Sequence, residues 1–218
     1  MITAAIFDMD GTILDSMGYW RNCGEIFVRL QGLEPEENLS DKLFRFSMAD
    51  GVAYLQKNYF SDWAVQRIND GIIEVLFESY AKKIALKDGA ESVLKTLCER
   101  KIPCALATAT PRELFSPAFE RLSLSRYFQD IFTCPELGTN KNSPRIYEVA
   151  SDFLGACSED CLVFEDALVP IKTAKTAGFK TVGVFDKSSE RETDSIKKFS
   201  DIYVNTFFEL NLDMALAL

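Results

Sequence analysis

Short runs of consecutive hydrophobic residues alternate along this chain with longer segments of helical spacing. Residues 4–8 (AAIFD), 104–108 (CALAT), 161–165 (CLVFE), 181–185 (TVGVF) and 202–204 (IYV) have the character of buried strands, apolar on successive rather than alternate positions. Between them, Ala90, Val93, Leu94 and Leu97 share one face of a helix that Pro103 brings to an end. Ser143 and Pro144 form a cap and first-turn pair for a helix through Leu154, and Gly178 closes a helix that begins near Pro170. Strand alternating with helix through short connections predicts an α/β fold built on a doubly wound parallel sheet.

One long segment carries no strand signal. From Ser16 to Lys87 the spacing is helical throughout: Tyr19, Trp20, Cys23, Ile26, Phe27 and Leu30 lead to a stop at Gly32, and Trp63, Ile68, Ile72, Val75, Leu76 and Tyr80 follow a Ser61 cap. The pattern predicts a core made of residues 1–15 and 88–218, interrupted by an all-helical unit over residues 16–87. Tyr19, Trp20, Phe44 and Phe46 are read as the packing core of that insertion, and Asp15 as a brace at its hinge.

Composition narrows what such a fold can do. With 218 residues, 47% of them hydrophobic, the chain can fill a proper core. Its longest apolar runs fall far short of the ~20 residues that span a bilayer, and no basic-then-apolar leader opens it. A cytoplasmic protein without membrane contact is expected. The six cysteines include no close CxxC pair and read as buried free thiols rather than disulfides or zinc ligands. A net charge of -9 argues against general nucleic-acid binding, which depends on lysine and arginine patches. The chain has no histidine, so any chemistry runs on carboxylates, hydroxyls, lysine or thiols.

In an open parallel sheet, ligands bind beyond the carboxyl ends of the strands, so the residues that follow each strand are the candidates. After the first come Asp8 and Asp10, whose two-residue spacing aims both carboxylates the same way if strand geometry persists. Thr108 ends the second run, Lys141 precedes SPRIY, and Glu165 and Asp166 end CLVF. Carboxylates gathered in this way repel one another unless a cation neutralises them. An oxygen-only set suits Mg²⁺, with lysine and threonine left to hold phosphoryl oxygens. One aspartate can then attack phosphorus while its neighbour two residues on moves the proton.

The motifs DMDGT, LATAT, KNSPRIY and VFEDALVPIKTAKTAG, in this order and spacing, resemble the four motifs of the haloacid dehalogenase superfamily of phosphohydrolases. The helical insertion just after DGTILDS resembles the cap of the subgroup that holds phosphoglycolate phosphatase, sugar-phosphate phosphatases and beta-phosphoglucomutase. The resemblance implies that Asp8 is the nucleophile that becomes aspartyl phosphate and a magnesium ligand. It implies that Asp10 is the general acid and then base, with its main-chain carbonyl on the metal. Thr108 and the Ala109 amide would bind the phosphoryl group, Lys141 would neutralise it, and Asp166 would complete the metal shell, with Glu165 acting on the metal directly or through water. The substrate would be a small phosphorylated metabolite such as a sugar phosphate. The chain departs from the family pattern at Asn140 and Asn142, which flank Lys141 where Gly and Pro are usual. It departs again at Ala167 and Pro170, where Ser and Gly are common.

Two other readings stand beside hydrolysis. Phosphosugar mutases of the subgroup carry a histidine where this chain has Trp20, and its absence points to net phosphate release. Phosphorylation-switched receiver modules use a similar acid cluster, threonine and lysine, but they are shorter and place the phosphorylated aspartate on a middle strand rather than the first.

Overall fold

The computed structural model describes residues 1–218. Its six strands form one parallel sheet: β1 (Ala4–Phe7), β2 (Cys104–Thr108), β3 (Asp130–Thr133), β4 (Cys161–Glu165), β5 (Lys180–Val184) and β6 (Ile202–Val204), in the spatial order β3-β2-β1-β4-β5-β6. The chain first builds outward from β1 through β2 to β3. It then returns to the other side of β1 and builds outward again through β4 to β6. That reversal places a crevice between β1 and β4, the point at which sheets of this type bind ligands.

Two-residue alternation along the buried strands feeds two separate cores. Ala5, Phe7, Leu106, Leu162 and Phe164 face one side, where the Phe7 and Phe164 rings stack with centroids 4.2 Å apart. Ala4, Ile6, Ala105, Ala107, Cys161 and Val163 face the other. Burial on both faces explains why these strands read as continuous apolar runs.

Of the five helices between β1 and β2, the first four are α1 (Met17–Leu30), α2 (Leu39–Leu43), α3 (Met48–Tyr59) and α4 (Val65–Lys82). Their apolar stripes, including Phe27 and Val28 on α1, Val52 and Leu55 on α3 and Ile68, Ile72 and Leu76 on α4, meet in the larger core. After them come α5 (Ala90–Glu99) and α6 (Arg112–Arg121), and α4 lies along α6. The chain continues through α7 (Cys134–Leu137), α8 (Arg145–Leu154), α9 (Leu168–Thr176), α10 (Thr193–Phe199) and α11 (Leu212–Leu216). Ile146, Tyr147 and Ala150 of α8 and Ala174 of α9 fill the second core. No helix is long and apolar enough to cross a membrane.

The two passages between sheet and helical segment run side by side. The Asp15 amide donates to the Ala85 carbonyl at 2.9 Å, the Lys87 amide donates to the Ile13 carbonyl at 2.9 Å, and Leu14 bridges Leu86 in antiparallel fashion. Asp15 therefore braces this junction through its backbone, while its side chain is exposed.

Several sequence expectations need correction. Strand β3 was not foreseen: its DIFT sequence is short, lies at the sheet edge and is only partly buried, so it lacks the apolar run that marks the inner strands. Ser61 does not cap α4, which starts at Val65 after Ala64, and Trp63 stands before the helix in the preceding turn. All six cysteines are free, but Cys98 and Cys157 are exposed because they fall on the outer faces of their segments.

Candidate functional site

All seven sequence candidates, Asp8, Asp10, Thr108, Ala109, Lys141, Glu165 and Asp166, line one cavity at the β1/β4 crevice. Asp8 extends β1 by one more ladder bond, its amide donating to the Phe164 carbonyl at 2.9 Å. The strand then ends in a tight turn in which the amides of Ile13 and Leu14 both donate to the Met9 carbonyl and the Gly11 amide donates to Leu14. Gly11 sits at φ +82°, and a Cβ there would lie 2.4 Å from Asp166 Oδ2. Glycine is thus required on two counts: the left-handed backbone, and the close approach of the turn to Asp166.

Asp8 is buried and receives two donors, the Lys141 ammonium on Oδ1 and the Thr12 hydroxyl on Oδ2 at 2.9 Å. Lys141 also donates to Glu165 Oε1 at 2.6 Å, and the Tyr147 hydroxyl donates to the same oxygen at 2.7 Å. Lys141 is held between two strands' worth of carboxylates by the turn that precedes α8, and Asn140 steadies that turn by accepting from the Asn142 amide at 2.9 Å. The asparagines that replace Gly and Pro therefore leave the lysine in place. Burial works against the charged ammonium, yet Asp8 and Glu165 together hold the Lys141 pKa above its usual value.

Carboxylate oxygens of Asp8, Glu165 and Asp166 lie within 4.8 Å of one another. Burial, followed by the charge on Asp8, pushes Glu165 up to about 7 despite Lys141. Burial and then the charges of Asp8, Glu165 and Asp186 hold Asp166 well above the ordinary carboxylate range. Asp166 has no ion-pair partner; its side chain accepts a single long bond, from Thr12 at 3.5 Å. A buried carboxylate with so little compensation, beside two others that share one ammonium, fits a hard divalent cation. The Asp10 main-chain carbonyl accepts no backbone hydrogen bond and adds a further neutral oxygen to the set. Glu165 serves Lys141 and Tyr147 through Oε1 alone, whereas both Asp8 oxygens accept a hydrogen bond.

Asp10 faces a different set of partners. Its Oδ1 accepts from the Ser16 hydroxyl at 2.6 Å and from the Tyr80 hydroxyl, and its Oδ2 accepts from Thr110 Oγ1 at 2.6 Å. Tyr80 in turn accepts from Trp20 Nε1 at 2.9 Å. The β1 ladder ends at Asp8 and the turn follows at once, so Asp8 and Asp10 do not share a direction by pleating; the turn separates their hydrogen-bond partners while both line one cavity. Burial raises the Asp10 pKa, the three hydroxyl donors oppose that rise, and the Asp8 charge adds to it.

Thr108 ends β2 fully buried, its Oγ1 accepting from the Thr110 amide at 3.1 Å, which leaves its hydroxyl hydrogen available. The Ala109 amide has no backbone acceptor. Arg112, beyond them, pairs with Glu136 and the Ile131 carbonyl and takes no part in the cavity.

The residues missed from sequence are those that hold the candidates: Thr12, Ser16, Tyr80, Thr110 and Tyr147. Thr110 follows Thr108 at the same spacing as Asp10 follows Asp8, a signal that was present. The role of Tyr80, 70 residues from Asp10, had none. Phe44 and Phe46, expected as packing core, instead line the cavity, and Phe46 is 40% exposed. The cavity has a volume of about 550 Å³ and joins the β1/β4 crevice to α1, α3 and the segment between α2 and α3.

A family model described as haloacid dehalogenase-like hydrolase matches residues 5–184. The chain is 24% identical over 179 residues to the phosphorylated carbohydrates phosphatase of Thermotoga maritima, covering 82% of this chain and 83% of that protein. It is 25% identical over 205 residues to the validoxylamine A 7'-phosphate phosphatase of Streptomyces hygroscopicus, covering 91% and 94%. The fold matches the crystal structure of CbbY from Rhodobacter sphaeroides in complex with phosphate with a TM-score of 0.80, at 22% identity over 100% of both chains.

Proposed function

The chain belongs to the haloacid dehalogenase-like hydrolases, and from that membership and the geometry of its site we propose that it is a Mg²⁺-dependent phosphomonoesterase acting on a small phosphorylated metabolite through an aspartyl-phosphate intermediate. The observation that carries this reading is the pairing of Lys141 with both Asp8 and Glu165 at the β1/β4 crevice, beside the poorly compensated Asp166. The names of the relatives, a phosphatase of phosphorylated carbohydrates and one of validoxylamine A 7'-phosphate, support the reaction class. We read residues 16–87 as a cap domain over a core of residues 1–15 and 88–218.

In the first step an Asp8 carboxylate oxygen attacks phosphorus and forms an oxygen–phosphorus bond as the bond to the leaving alkoxide breaks. Asp10 gives that alkoxide a proton. The Thr108 hydroxyl, the Ala109 amide and Lys141 hold the phosphoryl oxygens and offset their charge. In the second step water attacks phosphorus, Asp10 takes its proton, and the bond to Asp8 breaks to release inorganic phosphate and free carboxylate. Asp8, Asp166 and the Asp10 carbonyl would hold the Mg²⁺ ion, with Glu165 acting through Lys141 or a water molecule; the bound ion would supply positive charge against the phosphoryl group.

The test is phosphate release from a panel of phosphate esters with Mg²⁺ and with chelator. Hydrolysis that stops in chelator and returns with Mg²⁺ is expected. Full activity in chelator would remove the metal from the reading, and conversion of glucose 1-phosphate to glucose 6-phosphate faster than phosphate appears would replace the phosphatase by a mutase.

A further inference from the structure

The part of the cavity lining contributed by the helical segment has a composition that the hydrolytic reaction does not explain. Phe44, Phe46, Met48 and Val52 line it, and Phe46 and Met48 remain 40% and 37% exposed. Solvent-facing apolar side chains gathered around a deep cavity mark a surface that another apolar group covers.

Most polar side chains of the lining outside the carboxylate cluster are already used, Ser189 being the exception. Ser47 Oγ accepts from the Asp50 amide at 3.1 Å and donates to Asp50 Oδ2 at 2.7 Å, as the N-cap of α3. Ser188 Oγ donates to Asp186 at 2.6 Å, and Trp20 Nε1 donates to Tyr80. Arg21 directs Nε, at 2.8 Å, and one terminal nitrogen to Asp41, with its guanidinium 5.7 Å from the Phe44 ring centroid. Beyond Ser189 and the unpaired part of the Arg21 fork, the portion of a leaving group that reaches Phe44, Phe46 and Met48 meets few free polar partners. A flat ring loses little on entry and gains the aromatic and methionine surfaces, while the rest of the Arg21 fork can meet a carbonyl on its edge. The volume of about 550 Å³ exceeds what a phosphate on a three-carbon chain would fill.

We infer that the substrates are phosphate monoesters whose leaving group ends in a flat, largely apolar ring, of the kind found in nucleoside or flavin phosphates, and that Phe44, Phe46 and Met48 select it. This rests on the phosphomonoesterase reading above.

Matched pairs isolate the ring: uridine 5'-monophosphate against ribose 5-phosphate, and flavin mononucleotide against ribitol 5-phosphate. Each pair shares the same primary ester, and p-nitrophenyl phosphate reports the chemistry independently. Wild type is expected to favour the ring ester of at least one pair by about tenfold in kcat/KM, the discrimination an apolar pocket can supply, and Phe46→Ala to lower that ratio at least threefold with thermal unfolding unchanged. A ratio of about three or less in both pairs, an undiminished ratio in Phe46→Ala, or failure of both ring esters while nitrophenyl phosphate is hydrolysed would overturn the inference. Failure of every ester, nitrophenyl phosphate included, would instead overturn the phosphatase reading itself.

Discussion

Tyr80, at the end of α4, donates its hydroxyl to Asp10, in the turn after β1, across 70 residues of sequence. This bond joins the helical segment directly to the carboxylate to which we assign the proton transfer. Burial holds the Tyr80 pKa well above its usual value and the neighbouring Asp10 charge adds to it, so the phenol keeps its hydrogen and acts only as a donor to Asp10.

Removing that donor tests its part in the reaction. Tyr80→Phe keeps the ring in the core and leaves Asp10 with Ser16 and Thr110 alone. Turnover of an alkyl phosphate is expected to fall roughly 10- to 100-fold, in line with the ~1.5–3 kcal/mol of a hydrogen bond to a charged group. Phosphorylation of the enzyme by nitrophenyl phosphate, whose leaving group needs no proton, should hardly change. Equal loss on both esters in a stopped-flow comparison would make Tyr80 a packing residue only.

Gly11→Ala places a Cβ against Asp166 at a φ of +82°. The backbone strain alone is expected to cost about 1 kcal/mol or more. Displacement of Asp166 should also raise the Mg²⁺ concentration for half-maximal activity by about 10- to 100-fold. Thermal unfolding and a Mg²⁺ titration read the two effects separately, and an unchanged titration would mean that Asp166 is not a ligand.

Two ion pairs separate burial from mere proximity. The Lys87 ammonium donates to the Gly11 and Phe185 carbonyls, each at 2.6 Å, and to Asp186 at 2.8 Å, with side-chain exposures of 15% and 6% across the ion pair. Arg126 and Glu91 form a pair at 2.8 Å with exposures of 57% and 53%. Lys87→Met strands a buried carboxylate and is expected to lower unfolding free energy by about 3–5 kcal/mol. Arg126→Met should cost about 1 kcal/mol or less. Similar denaturant midpoints for the two variants would refute the structural role given to Lys87.

The inner strands and the acid, threonine and lysine positions were legible in the sequence because each has a local sign. Apolar runs mark the strands buried on both faces, and polar residues at their carboxyl ends mark the crevice. Glu165 and Asp166 follow one run as Asp8 follows another. What the sequence left hidden depends on contacts distant along the chain. Tyr80 and Tyr147 look like ordinary helix-face aromatics until the fold sets them against Asp10 and Glu165. Strand β3 is made by pairing with β2 rather than by an apolar run of its own. Phe44 and Phe46 look like core because hydrophobicity does not record which side of a helical layer meets a cavity.

The central claim is the division of labour between Asp8 and Asp10, and intact-mass measurement of phosphoenzyme tests it most directly. After mixing with nitrophenyl phosphate and Mg²⁺, Asp10→Asn should accumulate one phosphoryl group, mapped to the peptide that contains Asp8, because the first step needs no acid and the second lacks its base. Asp8→Asn should accumulate none. A phosphorylated Asp8→Asn protein, or an Asp10→Asn protein without trapped phosphate while wild type turns over the same ester through a covalent intermediate, would contradict the account.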